Sequence, residues 1–331
     1  MVTPPEASPN AGEYPVRSRR MPSGRSRSLL ATLLLATLWP VAVLAGPAAP
    51  LDRSSFKPTF AAEFDGPLDL WSPANPRGTW KSDYYFGPQR DRRSAPTTLA
   101  EQFMARTLPG ELQVYVDPAY CGHDPFSVSQ GVLSIRAEPL PDKVLFDCGR
   151  GTRRWASGLI TTEKSLRQTY GYFEARVKMP GAWGTWPAFW LLPTEKTAEN
   201  AGRLPEIDVF EHYAGPHPTV QVKPGVPLDR TGLANIAVHL GRTGAEQVLH
   251  PQNQPKTTTT SEFHTYGVLW TASELVFYLD DRETWRTPFQ YAKPMYMLLN
   301  LAISDKTAGD PALGTYPAAL EIDYVRAWTA F

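Results

Sequence analysis

The sequence of 331 residues has only two cysteines and no excess of either charge, since 33 basic side chains balance 33 acidic ones. With no basic surplus to neutralise phosphates, nucleic-acid binding is not expected. No group of histidines and cysteines has the spacing of zinc ligands, so no catalytic metal is implied. Beyond residue 45 there is no apolar run long enough to span a bilayer, and we expect no stable membrane association of the processed chain.

Proline is the residue in surplus, with 33 positions, about twice the usual share. Because proline lacks a backbone donor and breaks helix interiors, this composition argues against a helical bundle. Apolar residues alternate with period two in several segments, for example 172–178, and Glu274–Leu279 runs into an Asp-Asp turn that suggests a hairpin. Met295–Ile303 is continuously apolar, as in a strand buried on both faces. The sequence therefore predicts an all-β antiparallel sandwich.

The N-terminal segment, residues 1–45, has the pattern of a secretory signal peptide. Five arginines precede an apolar run over 29–44. A membrane anchor is the alternative, but the run is shorter than the ~20 residues that span a bilayer, and Pro40 interrupts it. We therefore expect a secreted or periplasmic protein with a short linker over 46–55 and a single domain over 56–331.

Both cysteines, Cys121 and Cys148, lie in the part of the chain that would remain after cleavage of the signal. An oxidising compartment favours a disulfide between them. Two buried free thiols are the alternative.

The segment Glu206–Glu211 carries three carboxylates at positions 206, 208 and 211. On a regular strand the first two share a face and the third points to the other. One extra residue at Val209-Phe210, a β-bulge, brings all three to one face. The two Glu Cα atoms would then be ~13 Å apart and, with both side chains leaning inward, the carboxyl groups ~5 Å apart, which is the spacing of a retaining glycosidase. A wider gap would predict inversion.

Repulsion within this row would keep one glutamate protonated near neutral pH, as an acid catalyst requires. A solvated acidic face is the usual alternative for such a cluster. Apolar residues interleave the acids here, which indicates a half-buried strand. The triplet Glu321-Ile322-Asp323 repeats the first three letters without a third carboxylate, so the triplet alone indicates little.

The motif Glu206–Glu211, followed by His212, resembles the signature of glycoside hydrolase family 16 in its bulged form, ExDxxE. Residues 184–190 resemble the strand that precedes the signature in that family, and the stretches 60–65, 264–270 and 322–328 agree with it. The resemblance covers 56–331 and is of the laminarinase or exopolysaccharide endo-β-glycanase type. It implies a concanavalin A-like β-jelly roll with a concave cleft, and a glycoside hydrolase domain over the whole of 56–331.

Carried over by this resemblance, Glu206 is the nucleophile, Glu211 the general acid and later base, and Asp208 the residue that orients the nucleophile. The expected activity is that of a retaining, endo-acting hydrolase of a β-1,3 or mixed-linkage glucan or an exopolysaccharide, acting as a monomer through a covalent glycosyl-enzyme. A transglycosylase of the same fold and a lectin-like protein that binds glycan without cleaving it are the alternatives. The intact set of three acids argues against the lectin.

Four further residues are candidates for substrate binding. Trp186 and Trp190 share a strand face and could stack on sugar rings, although core packing is the more common fate of tryptophan. His239 resembles a family position that reaches sugar hydroxyls, but a structural histidine is as compatible with its apolar surroundings. Asn300 lies in an apolar strand and must find hydrogen bonds in the core or in the cleft; the resemblance favours the cleft.

No cofactor is expected, and a structural calcium ion is the one metal that the resemblance leaves open. Some family members hold it on the convex face through a glutamate near the start and an aspartate near the end of the domain. Glu63 and Asp323 are the matching residues in this sequence.

Overall fold

The structure is a computed structural model, and it describes residues 50–83, 103, 105–108, 110–120, 122–140, 153–193, 204–241, 247–257 and 260–329. All described residues belong to one compact unit, Pro47–Phe331. The signal-peptide segment and both cysteines lie outside the described residues, so export and the disulfide stay predictions. Within the described residues, no helix has the length and apolar character needed to cross a membrane.

The described residues form eighteen strands and one short 3₁₀ helix, which confirms the all-β prediction. The strands are, in chain order, β1 (Lys57–Ala62), β2 (Gln113–Tyr115), β3 (Phe126–Ser129), β4 (Val132–Pro139), β5 (Trp155–Ser157), β6 (Leu159–Thr161), β7 (Gly171–Lys178), β8 (Thr185–Pro193), β9 (Glu206–Glu211), β10 (Gln221–Lys223), β11 (Val226–Pro227), β12 (Asn235–His239), β13 (Val248–Leu249), β14 (His264–Trp270), β15 (Glu274–Leu279), β16 (Arg282–Pro288), β17 (Met295–Ile303) and β18 (Ala318–Thr329), and the helix is Pro311–Leu313.

Two large sheets build the sandwich. The ten-stranded sheet has the order β16-β15-β14-β7-β18-β4-β5-β2, with β1 beside β18 and β3 beside β4. The six-stranded sheet has the order β13-β12-β9-β8-β17-β6, and β10 and β11 form a separate hairpin. Strand β2 pairs with β5 in parallel, whereas the other named pairs are antiparallel. The acidic strand β9 is therefore an interior strand of the smaller sheet.

Apolar side chains from both sheets form one main core. In β7 the alternating residues Phe173, Ala175 and Val177 are fully buried in it, as the period-two pattern predicts. From the smaller sheet, Phe189 and Leu191 of β8 join the same core. All nine residues of β17 are buried, which confirms a strand covered on both faces. The face of the six-stranded sheet that carries Phe189 and Leu191 thus packs against the other sheet. The opposite face is here called the site face.

The predicted hairpin of β15 and β16 is present, and its turn contacts the end of the predicted linker. Asp280 and Asp281 have φ angles of 50° and 62°, the pair of left-handed residues that a type I′ turn requires. Arg53 places one guanidinium nitrogen 2.8 Å from Asp281 and another 2.5 Å from Glu174, which is 1% exposed. At Arg53 the predicted linker therefore contacts the ten-stranded sheet.

Candidate active site

The acidic strand β9 contains the predicted bulge. Phe210 pairs with Phe189 of β8 while Asp208 pairs with the very next residue, Trp190, so Val209 has no partner there. The pairing with β12 shifts at the same place. Val209 and Phe210 consequently both pack in the main core although they are neighbours in sequence. The extra residue turns the three carboxylates of the strand to the site face, away from the core.

Cross-strand pairing places the predicted substrate-binding residues on this same face. Ala188 of β8 lies opposite Glu211 on one side and opposite Asn300 of β17 on the other. Directly opposite residues of antiparallel neighbours point to the same side of a sheet, so Asn300 lies on the site face. Trp186 and Trp190 flank Ala188 at period two and share this face. The sequence expectation that the two tryptophans lie on one face is confirmed.

Glu211 is held by two aromatic donors. Trp186 donates its indole N–H to Glu211 Oε1 at 2.9 Å, and the Tyr213 hydroxyl also hydrogen-bonds the carboxylate. Burial, followed by the negative charge of Asp208, raises the pKa of Glu211 to about 7; the two donors and the imidazole of His239 act in the opposite direction. A carboxyl group with this pKa is partly protonated at neutral pH and can both give and accept a proton.

Asp208 lies close to both Glu206 and His239. His239 Nε2 lies 3.2 Å from Asp208 Oδ2, and His239 is the register partner of Glu206 across β9 and β12. One polar atom from each of these three residues lies within 4.8 Å of the others. Asp208 is 4% exposed, whereas the side chains of Glu206 and His239 reach solvent in part. The buried aspartate is thus placed to orient its neighbours, and the more exposed glutamate to meet a substrate.

Trp190 and Asn300 belong to a buried hydrogen-bond chain. Trp190 donates its indole N–H to Asn300 Oδ1 at 2.8 Å, and Asn300 Nδ2 donates to the Tyr115 hydroxyl at 2.9 Å. Tyr115 in turn hydrogen-bonds Glu111, whose pKa burial raises to about 7. Trp190 is 8% exposed and packs with Tyr115 in a second apolar cluster on the site face. Its role as a sugar platform stays a prediction, and Trp186 keeps more exposed surface.

Two residues near Glu211 are absent from the sequence expectations. Tyr213 is 6% exposed and its ring centroid lies 5.6 Å from that of Trp186. The guanidinium carbon of Arg230 lies 3.6 Å from the centre of the Tyr213 ring. The sequence offered a signal for Tyr213, because this residue follows the last acid of the motif by two positions. Arg230 lies in a loop segment without periodicity, so no pattern pointed to it.

The two candidate calcium ligands each have an arginine partner. Arg326 donates to both carboxylate oxygens of Glu63 at 2.8 and 2.7 Å, and these hydrogen bonds lower the pKa of Glu63. Arg176 Nη1 lies 2.6 Å from Asp323 Oδ2. Each carboxylate thus already has a cationic partner that a calcium ion would have to displace, and the calcium site stays a prediction.

A β sandwich with three carboxylates on one strand of an open sheet face, one of them with a raised pKa, has the arrangement of a jelly-roll glycosidase. The family model described as "Beta-porphyranase A-D, GH16 domain" matches residues 114–330. The chain belongs to glycoside hydrolase family 16.

Relatives and solved structures agree with this assignment. The "Endo-1,3-1,4-beta-glycanase EglC" of Rhizobium meliloti (strain 1021) is 37% identical over 287 residues, covering 84% of this chain and 53% of the relative. The "Beta-glucanase" of Rhodothermus marinus is 29% identical over 222 residues, 61% of this chain and 69% of the relative. The chain spans about half the length of the Rhizobium relative.

The jelly-roll fold is confirmed by solved structures. The laminarinase from Rhodothermus marinus superimposes with a TM-score of 0.55 at 24% identity, covering 83% of this chain and 97% of that one. LamAcat from Zobellia galactanivorans gives a TM-score of 0.58 at 24% identity, with 84% of this chain and all of that one covered.

Proposed function

We propose that this chain is a retaining, endo-acting glycoside hydrolase that cleaves a β-linked polysaccharide through a covalent glycosyl-enzyme. The observation that carries the proposal is the bulge in β9, which turns Glu206, Asp208 and Glu211 to one sheet face. A retaining glycosidase needs one ionised carboxylate and one protonated carboxyl group close together. The raised pKa of Glu211 supports its assignment as the acid, and the resemblance supports Glu206 as the nucleophile.

In the first step Glu206 attacks the anomeric carbon while Glu211 donates its proton to the departing glycosidic oxygen. A glycosyl ester on Glu206 and a shortened polysaccharide result. Asp208, which lies 3.2 Å from His239 and has a carboxylate oxygen within 4.8 Å of one of Glu206, keeps the nucleophile oriented. In the second step the ionised Glu211 takes a proton from water as the water oxygen attacks the anomeric carbon, and the carboxylate of Glu206 leaves; the two successive inversions give net retention of configuration.

We propose a β-1,3 or mixed-linkage β-glucan, or a related exopolysaccharide, as the substrate. The Rhizobium relative is named for endo-1,3-1,4-β-glycanase activity and the Rhodothermus relative for β-glucanase activity. Such a polysaccharide lies outside the cell, so the proposed substrate agrees with the predicted export to a secreted or periplasmic location. We further propose that the chain works as a monomer and needs no cofactor.

The test is a digestion of laminarin, barley mixed-linkage glucan and an acidic exopolysaccharide, with reducing ends counted and products sized by mass. Glu206→Gln and Glu211→Gln should lose nearly all release of reducing ends while still binding the glycan. The matched control is Glu321→Gln, because Glu321 begins the same three-letter motif but pairs with Lys178 on the other sheet.

Proton NMR of the first products should show the β-anomer before mutarotation. An initial α-anomer would refute the retaining mechanism. Unchanged activity in Glu206→Gln would refute the assignment of the nucleophile. Products longer than the substrate would identify a transglycosylase, and binding without any cleavage by the wild type would identify a lectin.

A further inference from the structure

Trp183 is the one aromatic side chain among the large apolar residues that are exposed in the described part of the chain, with 38% of its surface accessible. The others are valines and a leucine. An exposed indole costs free energy because its apolar surface stays in water. Its exposure calls for an explanation beyond packing.

The surrounding loops hold this tryptophan firmly. The Tyr316 hydroxyl donates to the backbone carbonyl of Trp183 at 2.7 Å. Gly309 has a φ of +84°, and a Cβ added there would lie 3.4 Å from two indole atoms, so the glycine backbone supports the ring from behind. A Cβ at Gly314 would lie 2.6 Å from the same carbonyl oxygen. A ring that is fixed in place before binding loses little conformational entropy when a ligand stacks on it.

Trp183 is also close to the candidate catalytic residues. It precedes β8 by two residues and lies three positions before Trp186, the indole that donates to Glu211. Three residues of chain span at most ~10 Å. The two tryptophans are therefore close enough for one extended glycan chain to reach both.

A surface groove of about 370 Å³ opens beside the ring. It is lined by residues of two loops, 180–183 and 313–315, together with the start of β18. A volume of this size falls within the range of small-molecule sites. Leu313 is the other strongly exposed apolar side chain in the lining, so the apolar surface is much smaller than a protein interface requires.

We propose that Trp183 and this groove form a binding site for a pyranose ring of the polysaccharide, outside the sugars that flank the cleaved bond. The inference rests on the proposed function for the identity of the polymer. The apolar C–H face of a pyranose stacks on the indole, and the ring hydroxyls remain hydrated or contact the backbone of the groove. The site would anchor the chain without taking part in bond cleavage.

The test compares three variants in the Glu206→Gln background, where cleavage does not interfere with binding. Affinity electrophoresis in gels containing laminarin or barley mixed-linkage glucan measures the binding. Trp183→Ala should bind about tenfold more weakly, equivalent to about 1.4 kcal/mol. Trp183→Phe keeps an aromatic face and should recover most of the affinity. Val222→Ala is the control, since Val222 is 63% exposed on β10 and does not line the groove.

Kinetics on the active enzyme provide a second readout. The ratio of kcat/KM on polysaccharide to kcat/KM on an aryl β-disaccharide should fall in Trp183→Ala, through a higher KM for the polymer. Equal affinity and an equal ratio in Trp183→Ala and Val222→Ala would overturn the inference. That result differs from failure of the proposed function, in which the wild type would release no reducing ends from any glycan. Matching thermal unfolding of all variants excludes a folding defect.

Discussion

Replacing Asp208 by asparagine should move the alkaline limb of the pH profile of kcat/KM to lower pH. Glu211 must be protonated to act as the acid, and its pKa of about 7 places the loss of kcat/KM near neutral pH. The negative charge of Asp208 is the second largest cause of that raised pKa, after burial. An asparagine keeps the shape of the side chain but removes the charge, so Glu211 should ionise more readily.

The size of the effect follows from the bulge. Because the extra residue makes Asp208 and Glu211 neighbours on one face, their separation is that of alternate strand residues, ~7 Å. Two unit charges at that distance repel by about 2 kcal/mol at an effective dielectric constant of about 20, which equals one to two pH units. Burial of Glu211 remains in the variant. Its pKa should therefore settle above the ordinary value for glutamate, and the limb should fall near pH 5–6.

Trp186→Phe should produce the opposite result. Its indole N–H stabilises the ionised form of Glu211 and holds the pKa down. Loss of this hydrogen bond should move the alkaline limb upwards by about one pH unit. Opposite movements in two variants of the same site are hard to obtain from general structural damage, which would lower the rate at every pH.

The assay is kcat/KM for laminarin or mixed-linkage glucan between pH 4 and pH 10 at constant ionic strength. Asp323→Asn is the matched control, because Asp323 ends the shorter copy of the motif and pairs with Arg176 away from the site. Movement of the limb in the same direction in Asp208→Asn and Trp186→Phe would refute the electrostatic reasoning. So would an unchanged limb in Asp208→Asn.

Three further outcomes are expected. Deletion of Val209 should restore a regular strand in which Glu206, Asp208 and Glu211 still share the site face, so the variant should still release reducing ends, although the lost buried side chain should lower the free energy of urea unfolding by about 1.5–3 kcal/mol; a folded deletion variant without activity would contradict the parity argument. The native pKa of Glu111 is about 7, above its ordinary value, so wild-type stability should fall as pH rises from about 4.5 through 7. The free energy of unfolding of Glu111→Gln should therefore exceed that of the wild type by about 2–3 kcal/mol at pH 8 and differ little from it at pH 4.5. Removal of calcium with EGTA should leave the melting temperature unchanged, because Glu63 and Asp323 are bound by arginines; a clear decrease would show that the ion displaces them.

The bulge could be predicted from the sequence because parity on a strand is a local property. Acids at 206, 208 and 211 cannot share a face unless one residue is extra, and the two adjacent apolar residues, Val209 and Phe210, are those that the core then accepts. The hairpin of β15 and β16 was predictable for the same reason. Each feature depends on residues within a few positions of one another.

What lay beyond prediction depends on partners distant in sequence. The period-two pattern places Trp190 on the site face but does not reveal that Tyr115 covers it. The contact between Tyr115 and Asn300 joins residues 185 positions apart. Likewise Glu63 meets Arg326 across 263 positions, so the sequence alone could not show that this carboxylate was already neutralised. Local patterns predict which way a side chain points, and only the assembled sheets show what it meets.

Because Glu206 and Glu211 belong to one short strand that is hydrogen-bonded on both edges, the distance between them is set by backbone pairing and not by any surface loop. The reacting groups therefore need no lid or domain closure to come into register. Insertions and substitutions around the rim can then alter which glycan is accepted while bond cleavage itself continues unchanged. Such a division lets evolution, or a protein engineer, redesign recognition without rebuilding the chemistry.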